Sequence, residues 1–543
     1  MLAPGACRAH NTDEAGAGAP SRRPWSLPAP PGRAVSYALL LVFLAGGTCF
    51  YRLSEGTLFG DEAAFACTTD RMRATGDWIV PYITDEPHLN ATPLYNWLTL
   101  AIAPWFDEAP IWYRFWSAAF GVGCVLITYA LGTLLFRAEV GLLAGLFLCF
   151  NRSFLFAHGI RFGGMDAMLT FFISTAIFCY AWLQRNPARS WPVWASLGLC
   201  IGLAWLSKPP VFGCFFILFI SLHHLWIRRC EPLASRVVGP SLAFVVGFII
   251  AAPWYLTLWL RLGNPSLYAL FVHNSVDRAL DPSIRDYLVC YRSVWRASAA
   301  FKLMAPALVC AVGCWLANHR RRQWGLLLIL AGSYLFTLTV IGKCFQYIFY
   351  VFPLLSVILA GLFLDSAPYL WRRCGSGRWA RAATHIGVGL VAALVVADCV
   401  RTIRILRHPA WVHPPVGIYE RLAPELELGH CHLALLGFPV SGETSSTGRG
   451  VPNFEDLYYC PRMPLAIQVK DVGELENLLK DRKPAIVMLS PTTSPTVIAA
   501  LRPELQVENN PWPAHTYPVL LFNGMAGRFT GAELVRLSRG SQR

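Results

Sequence analysis

The sequence predicts an α-helical membrane protein that crosses the bilayer about 11 times and continues into a small soluble α/β domain. Three observations predict it. The 543 residues are 55% hydrophobic and only 14% charged, with a mean hydropathy of +0.44, where a soluble chain usually carries about 25% charged residues. Apolar runs such as Val35–Phe50, Val237–Pro253 and Gly325–Ile341 suit a hydrocarbon core about 30 Å thick. Such runs must be helical, because lipid offers exposed backbone polar groups no partner. Finally, the basic residues gather in short loops between apolar runs. That pattern marks membrane topology, and it sets nucleic acid aside as a partner despite the net charge of +14.

The elements follow in order. Residues 1–34 are rich in Ala, Pro, Gly and Arg and lack an apolar h-region, so they predict a disordered cytoplasmic tail rather than a signal peptide. Spans are predicted at 35–53, 114–136, 139–157, 166–183, 192–207, 209–227, 237–258, 298–317, 324–341, 346–366 and 385–400. With the N-terminus cytoplasmic, the cytoplasmic loops hold Arg137, Arg185, Arg189, Arg228, Arg229, Arg236, Arg320, Arg321, Arg322, Arg372, Arg373, Arg378 and Arg381, as the positive-inside rule requires. Two outward segments, 54–113 and 259–297, are long enough to carry function. In the first, Asp61–Ala74 and Thr92–Phe106 predict short interfacial helices, and Trp78, Trp97, Trp105 and Trp112 suit the membrane boundary. Residues 35–400 thus form the transmembrane domain. Beyond 400 charges return and strands alternate with helices. His432–Phe438, Leu465–Val469, Ala485–Leu489 and Pro518–Phe522 predict strands, and Val472–Lys480 and Thr496–Leu501 predict helices. This places a soluble α/β domain at 401–543, outside the membrane. Cys431 and Cys460 are a candidate disulfide there. The cysteines of the apolar runs read as small buried hydrophobes.

Candidate chemistry lies on the outward side. Asp61 and Glu62 are adjacent and soon follow the first span. A carboxylate held at a membrane boundary is a candidate general base. The same pair also suits the positive end of a helix dipole. Arg161 and Asp166 lie in "GIRFGGMDAMLTFF". They either pair with each other, or Asp166 faces Asp61 across a cavity with Arg161 near a phosphate. Lys208, Arg278 and Lys343 are outward cations. Each either snorkels to the interface or converges with the others on a lipid phosphate.

These landmarks resemble a known family. "GDEAAFACTTDRMRATGDWIVPYI", "TPLYNWLT", "RFGGMDAMLTFF", "GLAWLSKPPV", "PWYLTLW", "FVHNSVDRAL" and "KCFQYIFYVFPLL" are similar, in that order, to segments of the membrane-embedded C-type glycosyltransferases, specifically the aminoarabinose-transferase and protein-O-mannosyltransferase group. The resemblance spans roughly residues 36–525 and includes the C-terminal domain. It implies an inverting sugar transfer from a polyprenyl-phosphate donor to a glycolipid such as lipid A, or to a protein, on the outer face of a bacterial inner membrane. It implies Asp61 as the catalytic carboxylate, with Glu62 beside it and Asp166 as a second acid. Lys208, Arg278, Arg161 and Lys343 are the implied donor-phosphate ligands. Membrane lipids are further partners. No cofactor is demanded, and a divalent metal near the carboxylates is compatible with them, although no ligand spacing calls for one. Two departures stand out. Where the family often has Glu-Lys before Pro-Pro, this chain has Asn90-Ala91 before Thr92-Pro93, and where an Arg often follows the Asp-Glu pair by two residues, it has Ala64. Asn90-Ala91-Thr92 also forms a glycosylation sequon. Two other functions stay open: a transporter or flippase, and a family member that binds glycolipid without catalysis.

Overall fold

A computed structural model describes residues 31–407, with breaks at 55–57, 59–60, 84–86, 90–91, 107–108, 157–158, 187–189, 210, 278–297, 318, 341–344, 367 and 370–376, and four strands beyond. Its first part is helical: α1 (Pro31–Phe50), α2 (Asp61–Thr75), α3 (Leu94–Ile102), α4 (Ala109–Leu135), α5 (Ala138–Cys149), α6 (Arg152–Phe156), α7 (Asp166–Arg185), α8 (Ser190–Ser207), α9 (Val211–Ile227) and α10 (Leu233–Leu262). After a short 264–277 segment come α11 (Met304–Leu316), α12 (Arg321–Val340), α13 (Phe352–Gly361) and α14 (Gly377–Arg407). Each predicted span overlaps at least one of these helices, and α2 and α3 are the two expected short helices of the first loop. Among the described residues, six segments are long and apolar enough to cross a membrane: Gly32–Phe50, Ile111–Leu135, Asp166–Arg185, Ser190–Ser207, Leu233–Leu262 and Ile348–Ser366. Ala138–Cys149, Leu218–Ile227 and Ala300–Leu316 are apolar but shorter.

Some boundaries differ from expectation. The run 139–157 breaks after Cys149, because the Asn151 side chain accepts the Phe154 N–H at 3.0 Å and starts a separate helix. The last helix reaches 377–407 rather than 385–400, since its polar ends continue the helix beyond the apolar stretch. Its buried Asp398 caps the 3-10 turn Ala300–Leu303 that leads into α11, accepting the Ala299 N–H at 2.7 Å.

Helices that should run the same way do so. Along α1 and α5, Leu41 lies against Gly145 and Thr48 against Cys149. Along α4 and α7, Ser117 meets Gly164 and Cys124 meets Ala167. Small residues make these approaches possible, because lipid tails give no hydrophobic drive for helix association. On α8, a Cβ at Gly202 would lie 2.8 Å from the Gly247 carbonyl of α10. The bundle therefore has two ends. One gathers the C-terminus of α1, the start of α2, the start of α4, residues 159–166 and the end of α8. At the other, Asp365 accepts bonds from His319 and Arg320 at 2.9 and 2.7 Å, and Arg137 donates to the Leu364 carbonyl.

The four strands β1 (His432–Leu436), β2 (Ile467–Val469), β3 (Ala485–Leu489) and β4 (Val519–Phe522) form one sheet in the order β2-β1-β3-β4. β1 pairs parallel with β2 and β3, and β4 closes the edge antiparallel to β3. All four lie within the predicted strands. The predicted helices 472–480 and 496–501, and the pair Cys431 and Cys460, fall outside the described residues.

Candidate active site

Asp61 and Glu62 form the first turn of α2, where the helix dipole favours negative charge. Their side chains diverge. Asp61 is exposed, whereas Glu62 is fully buried. Glu62 accepts two bonds from Arg114, at 2.6 Å from Nε and 2.9 Å from Nη2, and a third from the Gly163 N–H at 2.7 Å. Arg114 is itself buried and donates Nη1 to the Leu53 carbonyl at 3.0 Å. A buried ion pair persists only when both partners are so satisfied. The result is a clamp. Glu62 sits one residue from Asp61 and binds a residue three short of Asp166, so the two acidic motifs share one end of the bundle.

The loop between α6 and α7 is fitted closely to that clamp. A Cβ at Gly163 would come within 2.9 Å of Glu62 Oε1 and 3.0 Å of the Tyr113 carbonyl. Ser117 donates to the Gly164 carbonyl at 2.6 Å and accepts its N–H at 3.1 Å. Arg161 does not pair with Asp166. Its buried guanidinium donates to the carbonyls of Thr48 and Cys49 at 3.0 Å and of Arg52 at 3.3 Å. It thus closes the C-terminus of α1, whose carbonyls lack helical partners. These bonds give Arg161 a structural task at the end of α1.

Asp166 opens α7, and its partner is Lys208, just past the end of α8. Lys208 Nζ lies 2.7 Å from Asp166 Oδ1, with the two side chains 12% and 13% exposed. Tyr350, from the 3-10 turn 345–351 ahead of α13, completes the group. Its hydroxyl donates to Asp166 Oδ1 and accepts from Lys208 Nζ at 2.9 Å. Among the described residues no bond reaches Asp166 Oδ2. Tyr350 and Arg114 were not among the sequence candidates. Arg114 leaves a faint trace, a charge at the head of an apolar run, while nothing in "YIFYVF" distinguishes Tyr350. Arg278 and Lys343, like Asn90 and Ala91, lie outside the described residues.

The first loop is fastened around this end. Asp77 accepts the N–H groups of Ile79 and Val80 at 3.0 and 3.4 Å and two bonds from Arg261 at 2.8 and 2.9 Å. Burial is the largest single influence and opposes ionisation, but these bonds and the Arg261 charge together hold its carboxyl below the usual range. Trp254 and Trp97 donate to the carbonyls of Ile79 and Trp78 at 2.9 and 2.7 Å. His88 lies close enough to Asp61 to feel its charge, yet burial outweighs that pull and pushes its pKa down to about 4, so the ring is neutral near pH 7. Burial also raises the Asp70 carboxyl, against the bonding of Tyr113 and the charge of Arg73. Among the described residues, no three His, Cys, Asp or Glu side chains gather as a metal site would.

Comparison with known proteins bears on the fold that carries this arrangement. Residues 61–263 match the dolichyl-phosphate-mannose-protein mannosyltransferase family. The undecaprenyl phosphate-alpha-4-amino-4-deoxy-L-arabinose arabinosyl transferase of Pectobacterium carotovorum is 25% identical over 357 residues, covering 62% of this chain and 60% of the relative. That of Aeromonas salmonicida is 28% identical over 205 residues, or 37% and 36%. The chain thus spans about three-fifths or less of the length of these curated relatives. Among solved structures, ArnT from Cupriavidus metallidurans bound to undecaprenyl phosphate superposes with a TM-score of 0.63 at 16% identity, over 91% of this chain and 98% of that one. The archaeal oligosaccharyltransferase AglB from Archaeoglobus fulgidus gives 0.54 at 11% identity, over 84% and 69%. The fold is that of the membrane C-type glycosyltransferases, as the sequence resemblance implied.

Proposed function

We propose that this chain, built on the C-type glycosyltransferase fold, transfers a sugar from a polyprenyl-phosphate donor to an envelope acceptor, either a lipid A-like glycolipid or a protein. One observation carries the reading: the Glu62–Arg114–Gly163 clamp holds the exposed Asp61 and the Asp166–Lys208 pair at one end of the bundle. Relatives named for undecaprenyl-phosphate aminoarabinose support an undecaprenyl carrier. The site end then faces the periplasm of a bacterial inner membrane, with residues 401–543 on the same side.

The chemistry follows from the side chains. An acceptor hydroxyl or its equivalent attacks the anomeric carbon from the face opposite the phosphate. The bond from that carbon to the phosphate oxygen breaks, and polyprenyl phosphate leaves with the bonding pair. Asp61, exposed at its helix N-terminus, orients the nucleophile and takes its proton. Lys208 neutralises charge on the departing phosphate, helped by Arg278 and Lys343. Asp166 holds Lys208 in place and presents Oδ2 to the reacting groups. Glu62 and Arg161 position these residues without touching substrate.

The test uses full-length protein in nanodiscs with undecaprenyl-phosphate-linked 4-amino-4-deoxy-L-arabinose and lipid A, read by mass spectrometry. Wild type should produce modified lipid A, and Asp61→Asn should lose at least about 100-fold in rate while purifying normally. Near-normal transfer by that variant would reject the role of Asp61. Mass spectrometry of envelope lipids and proteins with and without the chain would identify a different sugar or acceptor.

A further inference from the structure

We propose that Tyr350 is a positioning residue for sugar transfer, fixing Asp166 and Lys208 as a pair and turning Asp166 Oδ2 toward the substrate. The inference rests on the transferase reading and adds a member to its site. Its ground is a closed ring of three groups. Lys208 donates to Asp166 Oδ1 at 2.7 Å and to the Tyr350 hydroxyl at 2.9 Å, and that hydroxyl donates to the same Oδ1. Two donors on one carboxylate oxygen fix the rotation of the carboxyl group and leave Oδ2 as its outward face.

Burial separates the roles. Tyr350 is fully buried, while Asp166 and Lys208 keep 13% and 12% of their side chains exposed. Substrate can therefore meet the acid and the cation, and the tyrosine acts through them. Its ring is held firmly. Tyr334 packs edge-on at 6.3 Å, and the ammonium of Lys208 stands 5.7 Å from the Tyr350 ring centre. The neighbouring Phe349 and Phe352 pack on each other at 5.8 Å, and Phe301 packs on Phe352 at 5.3 Å. A hydroxyl on so closely packed a support is suited to hold its partners within the roughly 0.5 Å that orienting a reacting group demands. Without it, Lys208 loses an acceptor and the Asp166 carboxyl regains its rotation, although both charged groups remain.

The test is Tyr350→Phe, which keeps the ring and removes the bond. In the assay above, kcat should fall about 10- to 100-fold while the donor KM stays within about threefold. The melting temperature should stay near that of wild type. The double variant K208A/Y350F should be no slower than K208A, because both changes act on one unit. A Tyr350→Phe enzyme within twofold of wild-type kcat would overturn the proposal, as would losses that simply multiply in the double variant. A purely structural tyrosine would instead lower the melting temperature and leave kcat per folded molecule unchanged, which also overturns it. The underlying reading is checked separately: wild type that neither binds undecaprenyl phosphate nor transfers sugar refutes the transferase itself. Wild type that does both, beside an unaffected Tyr350→Phe, refutes only the part assigned to Tyr350.

Discussion

Arg114 is 1% exposed among apolar helices, and its burial is tolerated because Glu62 takes two of its N–H groups and Leu53 a third. Removing one partner strands the other charge. Arg114→Ala should therefore cost about 3–5 kcal/mol of stability, read as thermal unfolding in detergent. Arg114→Lys should restore little, since an ammonium cannot reproduce the forked geometry. Titration gives a second residue-scale test. The folded His88 titrates near 4 against an ordinary 6.5, so between those values the unfolded chain binds more protons. Stability should rise with pH through that window and flatten in His88→Gln. Asp77 acts further into acid. Its folded pKa is lowered, so its contribution is present above the unfolded value and lost as pH falls through the folded one. At this scale the sequence was half legible. Asp61, Asp166 and Lys208 stand out as charges flanking apolar runs. Their pairings do not: Glu62 with Arg114 spans 52 positions, Asp166 with Lys208 42, and Asp166 with Tyr350 184. Only the packed bundle makes these groups neighbours, so Arg161 with Asp166, close in sequence, was the natural but unrealised pairing.

Among the elements, the loop 159–165 is closely confined at Gly159 and Gly163. Gly163→Ala would push a methyl group against Glu62 and the Tyr113 carbonyl, loosening the clamp between the two acidic motifs. We expect at least a tenfold loss of transfer and about 1–3 kcal/mol of stability, measured by the same transfer and unfolding assays. The α8–α10 seam makes a contrasting case. Gly202→Leu would collide with the Gly247 carbonyl and Ile250, so it should destabilise the bundle and reduce the amount of folded protein without a selective effect on kcat. Helix existence was legible at this scale, because length and apolarity decide which segments enter lipid. Breaks inside apolar runs were not. Asn151 ends one helix and starts the next through its own side chain, a local choice that hydropathy averages away.

For the whole molecule, the alternation of helix direction agrees with the distribution of arginine. Alkaline-phosphatase reporters fused after residue 407 should be active outside the cytoplasm, and reporters fused after residue 229 should be inactive. The reverse pattern would place the site on the wrong face for a periplasmic acceptor. The architecture itself was legible because the bilayer admits so few solutions: helices of sufficient length, cations on one side and a polar domain beyond them. The most direct measurement is a cryo-EM structure of the full chain in nanodiscs with undecaprenyl phosphate. The lipid phosphate should lie within hydrogen-bonding reach of Lys208, between Asp61 and Asp166. A phosphate bound at the Asp365 end, or a lipid that leaves Lys208 untouched, would contradict this placement.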